Sequence, residues 1–317
     1  MKIVYITGCL GFIGRYVTQL LLDEGYYVYG IDSCTYASEQ EILERWTSNR
    51  KFKFEKRNIC DIDRLVDCDF FINIAAETHV DNSIRDSRVF LDSNVVGIYN
   101  ILEHLKIYKK EGYNIPRLIH FSTDEVYGDI SSGEHIETDT LKPSNPYSAT
   151  KAAADQLIIA WARTYNIPFN IIRPTNNYGI GQYVEKLIPK SCKFLGLSRK
   201  IPLHNYGTPI RNWLHAKDTA SAVLKIIESG VPNEIYNIAG GFEQSNIDTV
   251  KKVIDCYYEK EISDYDQYIN FGLERPGQDV RYALNDDKIR KLGWSPSCNF
   301  DEEIVKIVEH YKGKFIW

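Results

Sequence analysis

No apolar run in the 317 residues approaches the roughly 20 needed to cross a bilayer. Positive charge is not in surplus either: 38 Lys and Arg stand against 43 Asp and Glu, a formal net charge of −5. That balance gives no electrostatic case for nucleic acid or an anionic membrane as a partner. An anionic ligand would have to be met by individual arginines. The seven cysteines (Cys9, Cys34, Cys60, Cys68, Cys192, Cys256, Cys298) are odd in number and scattered, with neither a CxxC pair nor metal-ligand spacing. Reduced thiols and no metal site are therefore expected. The segment Met1-Lys2-Ile3-Val4-Tyr5-Ile6-Thr7 has no cleavable apolar core before the first glycine, so a cytoplasmic protein is expected. Internal repeats and low-complexity linkers are absent, and the hydrophobic content, 44%, is ordinary for a globular chain.

What is present alternates. Residues 2–7, 27–31, 69–75, 118–122 and 169–173 read as short buried strands. Between them, Phe12–Asp23, 94–109 and 149–165 carry apolar residues at helical spacing. Such alternation implies right-handed βαβ units, hence an α/β fold with a Rossmann-type, doubly wound parallel sheet. After Pro174 the pattern loosens into turns and short elements. The expected organisation is a dinucleotide-binding domain over 1–173 and a smaller α+β lobe over 174–317, with an interleaved boundary. Ligands of such sheets lie at the carboxyl ends of the strands.

Thr7-Gly8-Cys9-Leu10-Gly11-Phe12-Ile13-Gly14 follows the first strand and opens a helix. Glycines there let backbone approach a pyrophosphate, and the helix N-terminus supplies N–H groups. Asp32 ends the next strand, where a carboxylate binds ribose hydroxyls and repels a 2′-phosphate. NAD is therefore expected over NADP. Further on, the strand at 118–122 runs into Thr123-Asp124-Glu125, two adjacent carboxyls at the mouth of the sheet. Tyr147 and Lys151 are four apart on a helix and share a face. A cation beside the phenol would lower its pKa and make a base of it near neutral pH.

TGxxGxxG, YxxxK and the chain length together resemble the extended short-chain dehydrogenase/reductase family. Phe121-Ser122-Thr123-Asp124-Glu125-Val126-Tyr127-Gly128 resembles the motif of its nucleotide-sugar 4,6-dehydratases, those acting on dTDP-glucose and UDP-glucose. The resemblance continues through Ala75-Ala76-Glu77-Thr78-His79-Val80-Asp81, Asn145-Pro146-Tyr147, Asn176-Asn177-Tyr178-Gly179, Glu185-Lys186-Leu187-Ile188-Pro189 and Arg275-Pro276-Gly277, covering essentially the whole chain. Sugar epimerases of the family usually carry serines in place of Asp124 and Glu125. UDP-glucuronate decarboxylases and GDP-mannose dehydratases typically keep the glutamate without the aspartate.

The resemblance implies a tightly bound, regenerated NAD and a lyase chemistry. Tyr147 would take the 4-hydroxyl proton as C4 gives up hydride, with Thr123 bonded to the same oxygen. Glu125 would then remove the C5 proton while a protonated Asp124 protonates the departing 6-hydroxyl. Like charges this close push their pKa values apart, which suits opposite protonation states. Cofactor contacts are expected from Gly8, Gly11, Phe12, Ile13, Gly14, Asp32, Asn58, Ile59, Ala75, Ser93, Tyr147 and Lys151. Substrate contacts are expected from His79, Asn177, Glu185, Lys186, Leu187, Pro202, His204, Arg211, Asn237 and Arg275, with Arg211 and Arg275 on the diphosphate. His79 reads equally well as a structural residue. His204, and the run Asp286-Asp287-Lys288-Ile289-Arg290, resemble the UDP-glucose enzymes more than the dTDP-glucose ones, so UDP-glucose is favoured. An epimerase or decarboxylase is the alternative enzyme, and a silent NAD or nucleotide-sugar sensor the alternative of another class. The family commonly forms homodimers through two helices, here those at 94–109 and 149–165.

Overall fold

The structure, a computed structural model, describes residues 2–314. Strand β1 (Ile3–Thr7) shows how the layers arise: Val4 and Ile6 point to one side and share one core, while Tyr5 points to the other side and is buried in a second. Helix α1 (Phe12–Asp23) returns the chain to β2 (Tyr27–Asp32), and α2 (Glu41–Thr47) leads to β3 (Phe52–Lys56). Then come β4 (Phe70–Asn73), α3 (Val80–Arg85), α4 (Arg88–Phe90), a wide π-type stretch Leu91–Val96, and α5 (Gly97–Lys110). After β5 (Arg117–Phe121), α6 (Pro146–Tyr165) and β6 (Phe169–Pro174), the chain leaves the sheet for β7 (Asn176–Tyr178), α7 (Leu187–Gly196), β8 (Ile201–His204) and β9 (Ile210–His215). It comes back through α8 (Ala216–Ser229) and β10 (Glu234–Ile238), and closes with β11 (Phe242–Ser245), α9 (Asn246–Tyr258), β12 (Ile269–Leu273), α10 (Asp287–Arg290) and α11 (Phe300–Tyr311).

The main sheet has the order β10-β6-β5-β4-β1-β2-β3, and every pairing is parallel. The direction of winding reverses between β1 and β4, so the crevice beyond Thr7 and Asn73 is where a ligand belongs. Helices α1 and α8 cover one face, with Val17, Leu21, Val223 and Ile226 against Val4, Ile6 and Ile72. Helices α5 and α6 cover the other, with Ile98, Leu102 and Ile158 against Tyr5, Phe71 and Ile171. Each such side chain contributes about 1.5–3 kcal/mol on burial. A third core lies under the second lobe, between α7, α9 and α11. That lobe carries a three-stranded sheet, β11-β9-β7, and a β12-β8 pair.

The fold is the expected doubly wound sheet, and α1 has the expected bounds. Two strands were not foreseen. β3 (Phe52–Lys56) is half polar, because as the edge strand it has a neighbour on one side only. β10 lies beyond residue 174 yet completes the first sheet, so the chain crosses between lobes more than once. The helix expected from residue 94 begins regularly only at Gly97, where a Cβ would sit 2.3 Å from the Ile59 side chain.

Candidate active site

The turn between β1 and α1 tolerates only glycine where it matters. Gly8 has φ +67°, and a Cβ there would lie 2.8 Å from the Ala75 backbone; one on Gly14 would lie 1.9 Å from the Gly8 carbonyl oxygen. Helix α1 starts from Gly11 without a side-chain cap, leaving first-turn N–H groups at Phe12, Ile13 and Gly14 for a ligand. Asp32, at the end of β2, accepts from Leu10 N–H (3.0 Å), Cys34 N–H (2.8 Å) and the Ser38 hydroxyl (2.8 Å), tying the turn to the neighbouring strand. Asn58 caps a short turn by accepting from Cys60 N–H and lines a hollow with Ser33, Lys56 and Arg57. Ala75 and Ser93 are half-buried. The Ile59 side chain is 5% exposed and packs under Gly97, and its carbonyl accepts from Asn100. The close glycine turn and the N–H donors of the uncapped helix, with the accepting carboxylate of Asp32 at the strand end, fit a dinucleotide.

β5 delivers its residues to the same crevice. Thr123 has extended backbone and caps a single 3-10 turn, Asp124–Tyr127, by accepting from Glu125 N–H. Gly128 ends the turn at φ +81°, where a Cβ would meet the Lys142 carbonyl at 2.5 Å. Asp124 is 3% exposed; one carboxylate oxygen accepts from Thr123 (3.1 Å) and Oδ2 is buried without a partner. Burial, and then the charge of Glu125, push its pKa up to about 7. Burial raises Glu125 as well, opposed by Arg211 and by the Asn145 amide, which donates to it at 3.3 Å.

Helix α6 begins with Pro146 after Asn145, whose side chain accepts from Ser148 N–H while Ser148 Oγ accepts from Asn145 N–H. A cap of this kind contributes about 1 kcal/mol and fixes where Tyr147 and Lys151 enter the crevice. Tyr147 is buried beside Thr123, its hydrogen-bond partner. The expected effect of Lys151 on the phenol is not realised. Burial and the nearby carboxyls Glu125 and Asp124 raise Tyr147, and the Lys151 ammonium is drawn instead to the Phe121 carbonyl (2.5 Å) and His120 Nε2 (3.4 Å). Burial lowers Lys151 itself to about 8, with Asp155 opposing. His120 is in turn bonded to Asn73, and Asn73 to Thr7, so a buried polar chain links Lys151 to the strand before the glycine turn.

Facing these groups is a cleft of about 1070 Å³, open to solvent, between the two lobes. Of the expected substrate residues, His79, Asn177, Glu185, Lys186, Leu187, Pro202, His204, Arg211 and Arg275 line it, together with Glu125. Arg275 forms a two-pronged pair with Asp81 (2.6 and 3.0 Å) and bonds Gln278. Arg211 lies 4.5 Å above the Tyr282 ring, with one prong on the Asp279 carbonyl. His204 Nδ1 is buried and unpartnered; burial and Arg275 keep the imidazole below its usual pKa. His79 accepts from Asn82 N–H as the cap of α3, and burial followed by Lys186 lowers it to about 4, so it is neutral.

Asn237 is a correction. It is fully buried in β10, and its amide is engaged by the Tyr127 hydroxyl and the carbonyls of His135 and Asn285, out of reach of the cleft. Conversely, Lys190, Asn176, Asp279 and Tyr282 line the cleft without having been singled out. Tyr282 donates to Asp279 and approaches Glu125 at 3.5 Å. Only Lys190 had a local signal, one helical turn beyond Lys186. Among the described residues no cluster could hold a metal ion, and no helix is long and apolar enough to cross a membrane.

Comparison with known proteins places these features in context. The family described as GDP-mannose 4,6 dehydratase matches residues 5–307. A dTDP-glucose 4,6-dehydratase of Escherichia coli is 36% identical, covering 100% of this chain and 95% of that protein. The low-salt glycan biosynthesis protein Agl12 of Haloferax volcanii is also 36% identical, over 98% of both chains. Among solved structures, the dTDP-glucose 4,6-dehydratase of Streptomyces venezuelae, crystallised with NAD bound, superposes with a TM-score of 0.91 at 32% identity, covering 98% of this chain and 97% of that one.

Proposed function

The chain belongs to the GDP-mannose 4,6-dehydratase family, within the extended short-chain dehydrogenases/reductases, and from that premise we propose that it is an NAD-dependent nucleotide-sugar 4,6-dehydratase. It converts a nucleoside-diphosphate glucose to the 4-keto-6-deoxy sugar and water. The observation that carries the reading is the buried carboxyl pair: Asp124, pushed up to about 7 with an unpartnered oxygen, directly beside Glu125. Oxidation at C4 alone needs no such pair. An elimination needs one group to take a proton and another to give one, and Glu125 and Asp124 can fill those two roles.

The glycine turn and Asp32 would hold NAD, which would supply hydride acceptance at C4, hydride return at C6, and a positive ring that favours the ionised form of a phenol beside it. The chain's residues move the protons. Tyr147 takes the proton of the 4-hydroxyl, and Thr123 bonds the same oxygen. The 4-ketone acidifies C5–H, and Glu125 removes that proton and gives a proton back to C5 when hydride returns to C6. Asp124 gives its proton to the 6-hydroxyl as the C6–O bond breaks and water leaves. Arg211 and Arg275 meet the diphosphate, with Lys186 and Lys190 beside them in the cleft.

The nucleotide base is the finer question. The Escherichia coli and Streptomyces venezuelae relatives act, by name, on dTDP-glucose. His204 lines the cleft, and its resemblance to the histidine of the UDP-glucose enzymes is what favours UDP-glucose for this chain. Incubation with UDP-glucose and dTDP-glucose in parallel tests both levels. A 4-keto-6-deoxy product, formed faster from UDP-glucose, is expected. A C4 epimer or released carbon dioxide would overturn the dehydratase reading, and a dTDP preference would overturn the base assignment alone. A homodimer through α5 and α6 is part of the same proposal.

A further inference from the structure

Beneath the acid–base segment lies a buried ion pair that the chemistry above does not use. Asp155 on α6 is unexposed, and its Oδ2 accepts from Arg173 Nε (3.0 Å) and Nη2 (2.9 Å) and from the Ser122 hydroxyl (3.0 Å). Arg173 on β6, 2% exposed, donates through Nη1 to the Tyr127 hydroxyl (2.6 Å) and stacks 4.7 Å from that ring. Tyr127 donates onward to Asn237 at 2.8 Å. Ser122 and Tyr127 are the two ends of the segment that carries Thr123, Asp124 and Glu125. Both ends are therefore tied to one ion pair. Asp155 follows Lys151 by one helical turn and Tyr147 by two, on the same face of α6.

Stability does not account for this arrangement. Removing two charges from water is costly, and well-packed apolar residues often serve a core as well or better. Asp155 Oδ1 is moreover left buried without a partner, which is itself destabilising. A guanidinium that donates through Nε and Nη2 to Asp155 and through Nη1 to Tyr127 has what an apolar pair lacks: fixed directions. We propose that Asp155 and Arg173 are positioning residues that hold segment 123–126 in register with the helix carrying Tyr147 and Lys151, and that water elimination depends on this clamp more than oxidation does. The asymmetry follows from where the groups sit. Tyr147 and Lys151 ride on a 20-residue helix with its own cap, whereas Asp124 and Glu125 sit in a single turn that the clamp grips at both ends. This rests on the dehydratase reading.

Cutting Asp155 or Arg173 would strand a buried charge and endanger folding. The test therefore cuts the links and leaves the pair: Ser122→Ala with Tyr127→Phe, compared with Ser122→Thr, which keeps the hydroxyl. Oxidation is read in stopped flow as reduction of the bound cofactor, and elimination as 4-keto-6-deoxy product. The double variant is expected to lose roughly tenfold in elimination with oxidation changed less than about twofold, so that reduced cofactor accumulates; displacements of about 1 Å have effects of this order. Ser122→Thr should behave as wild type. Equal loss in both steps, or none in either, overturns the clamp. Wild-type protein that produces no 4-keto-6-deoxy sugar from either nucleotide would instead overturn the dehydratase reading, so the two failures are distinguishable.

Discussion

The two walls of the cleft are built on opposite plans. On the sheet side, Thr123, Asp124, Tyr147 and Lys151 are all at most 7% exposed, and hydrogen bonds hold their backbone and neighbours from beneath. On the facing side the ions are mostly part-exposed: Arg275 from the second lobe pairs with Asp81 of α3 at side-chain exposures of 22% and 34%, and His204 is 25% exposed, while Arg211 is buried against Tyr282. A buried wall fixes positions and shifts pKa values. An exposed, ion-paired wall can yield to a ligand, because surface pairs hold with only about 0–1 kcal/mol. Reacting groups thus sit where geometry is stiff, and the groups expected to select the nucleotide sit where it is adjustable.

The largest expected effect strikes the stiff wall. Asp124→Asn with Glu125→Gln should lower product formation by about a thousandfold or more, the usual scale for acid–base groups, while the bound cofactor is still reduced on adding sugar nucleotide. Stopped-flow absorbance and product analysis check this together; full turnover would erase the distinction between the walls. Next, Arg211→Gln should raise KM by roughly 10–100-fold with a smaller change in kcat, since a charge-assisted contact to a diphosphate contributes about 1.5–3 kcal/mol. A pure kcat loss in steady-state kinetics would move Arg211 to the other wall.

The pH dependence comes third. Asp124 must be protonated to act, and its pKa is pushed up to about 7. Its acid form is therefore lost as pH rises, and single-turnover elimination should fall about tenfold per pH unit above that value. Elimination constant up to pH 9 would contradict the assignment. The smallest effect belongs to the adjustable wall: Asp81→Asn, which loosens Arg275, should change stability by no more than about 1 kcal/mol and KM a few-fold, as read by thermal unfolding and titration.

How much of this was legible beforehand follows the same division. The glycine turn, α1 and α6 are local patterns, and segment 121–128 is a contiguous motif, so all could be read in place. β10 could not be assigned to the first sheet, because nothing within Glu234–Ile238 says which strand it will pair with. The second lobe's contributions to the cleft, Asp279 and Tyr282, lie more than a hundred residues from Glu125 and meet it only through the fold. Asn237 misled for the converse reason: its residue type suits phosphate, yet β10 points it into the Tyr127–Arg173 network. The Tyr147–Lys151 pair was correctly placed on one face, but spacing could not show that the ammonium would turn to the Phe121 carbonyl.

The central claim is that the two carboxyls add water elimination to oxidation, and the most direct test is the reaction run in D2O with the product analysed early by NMR and mass spectrometry. A 4-keto-6-deoxy sugar carrying one solvent-derived deuterium at C5 is predicted, since Glu125 exchanges the proton it removes there. A product that keeps its 6-hydroxyl, or a 6-deoxy product without deuterium at C5, would contradict the account.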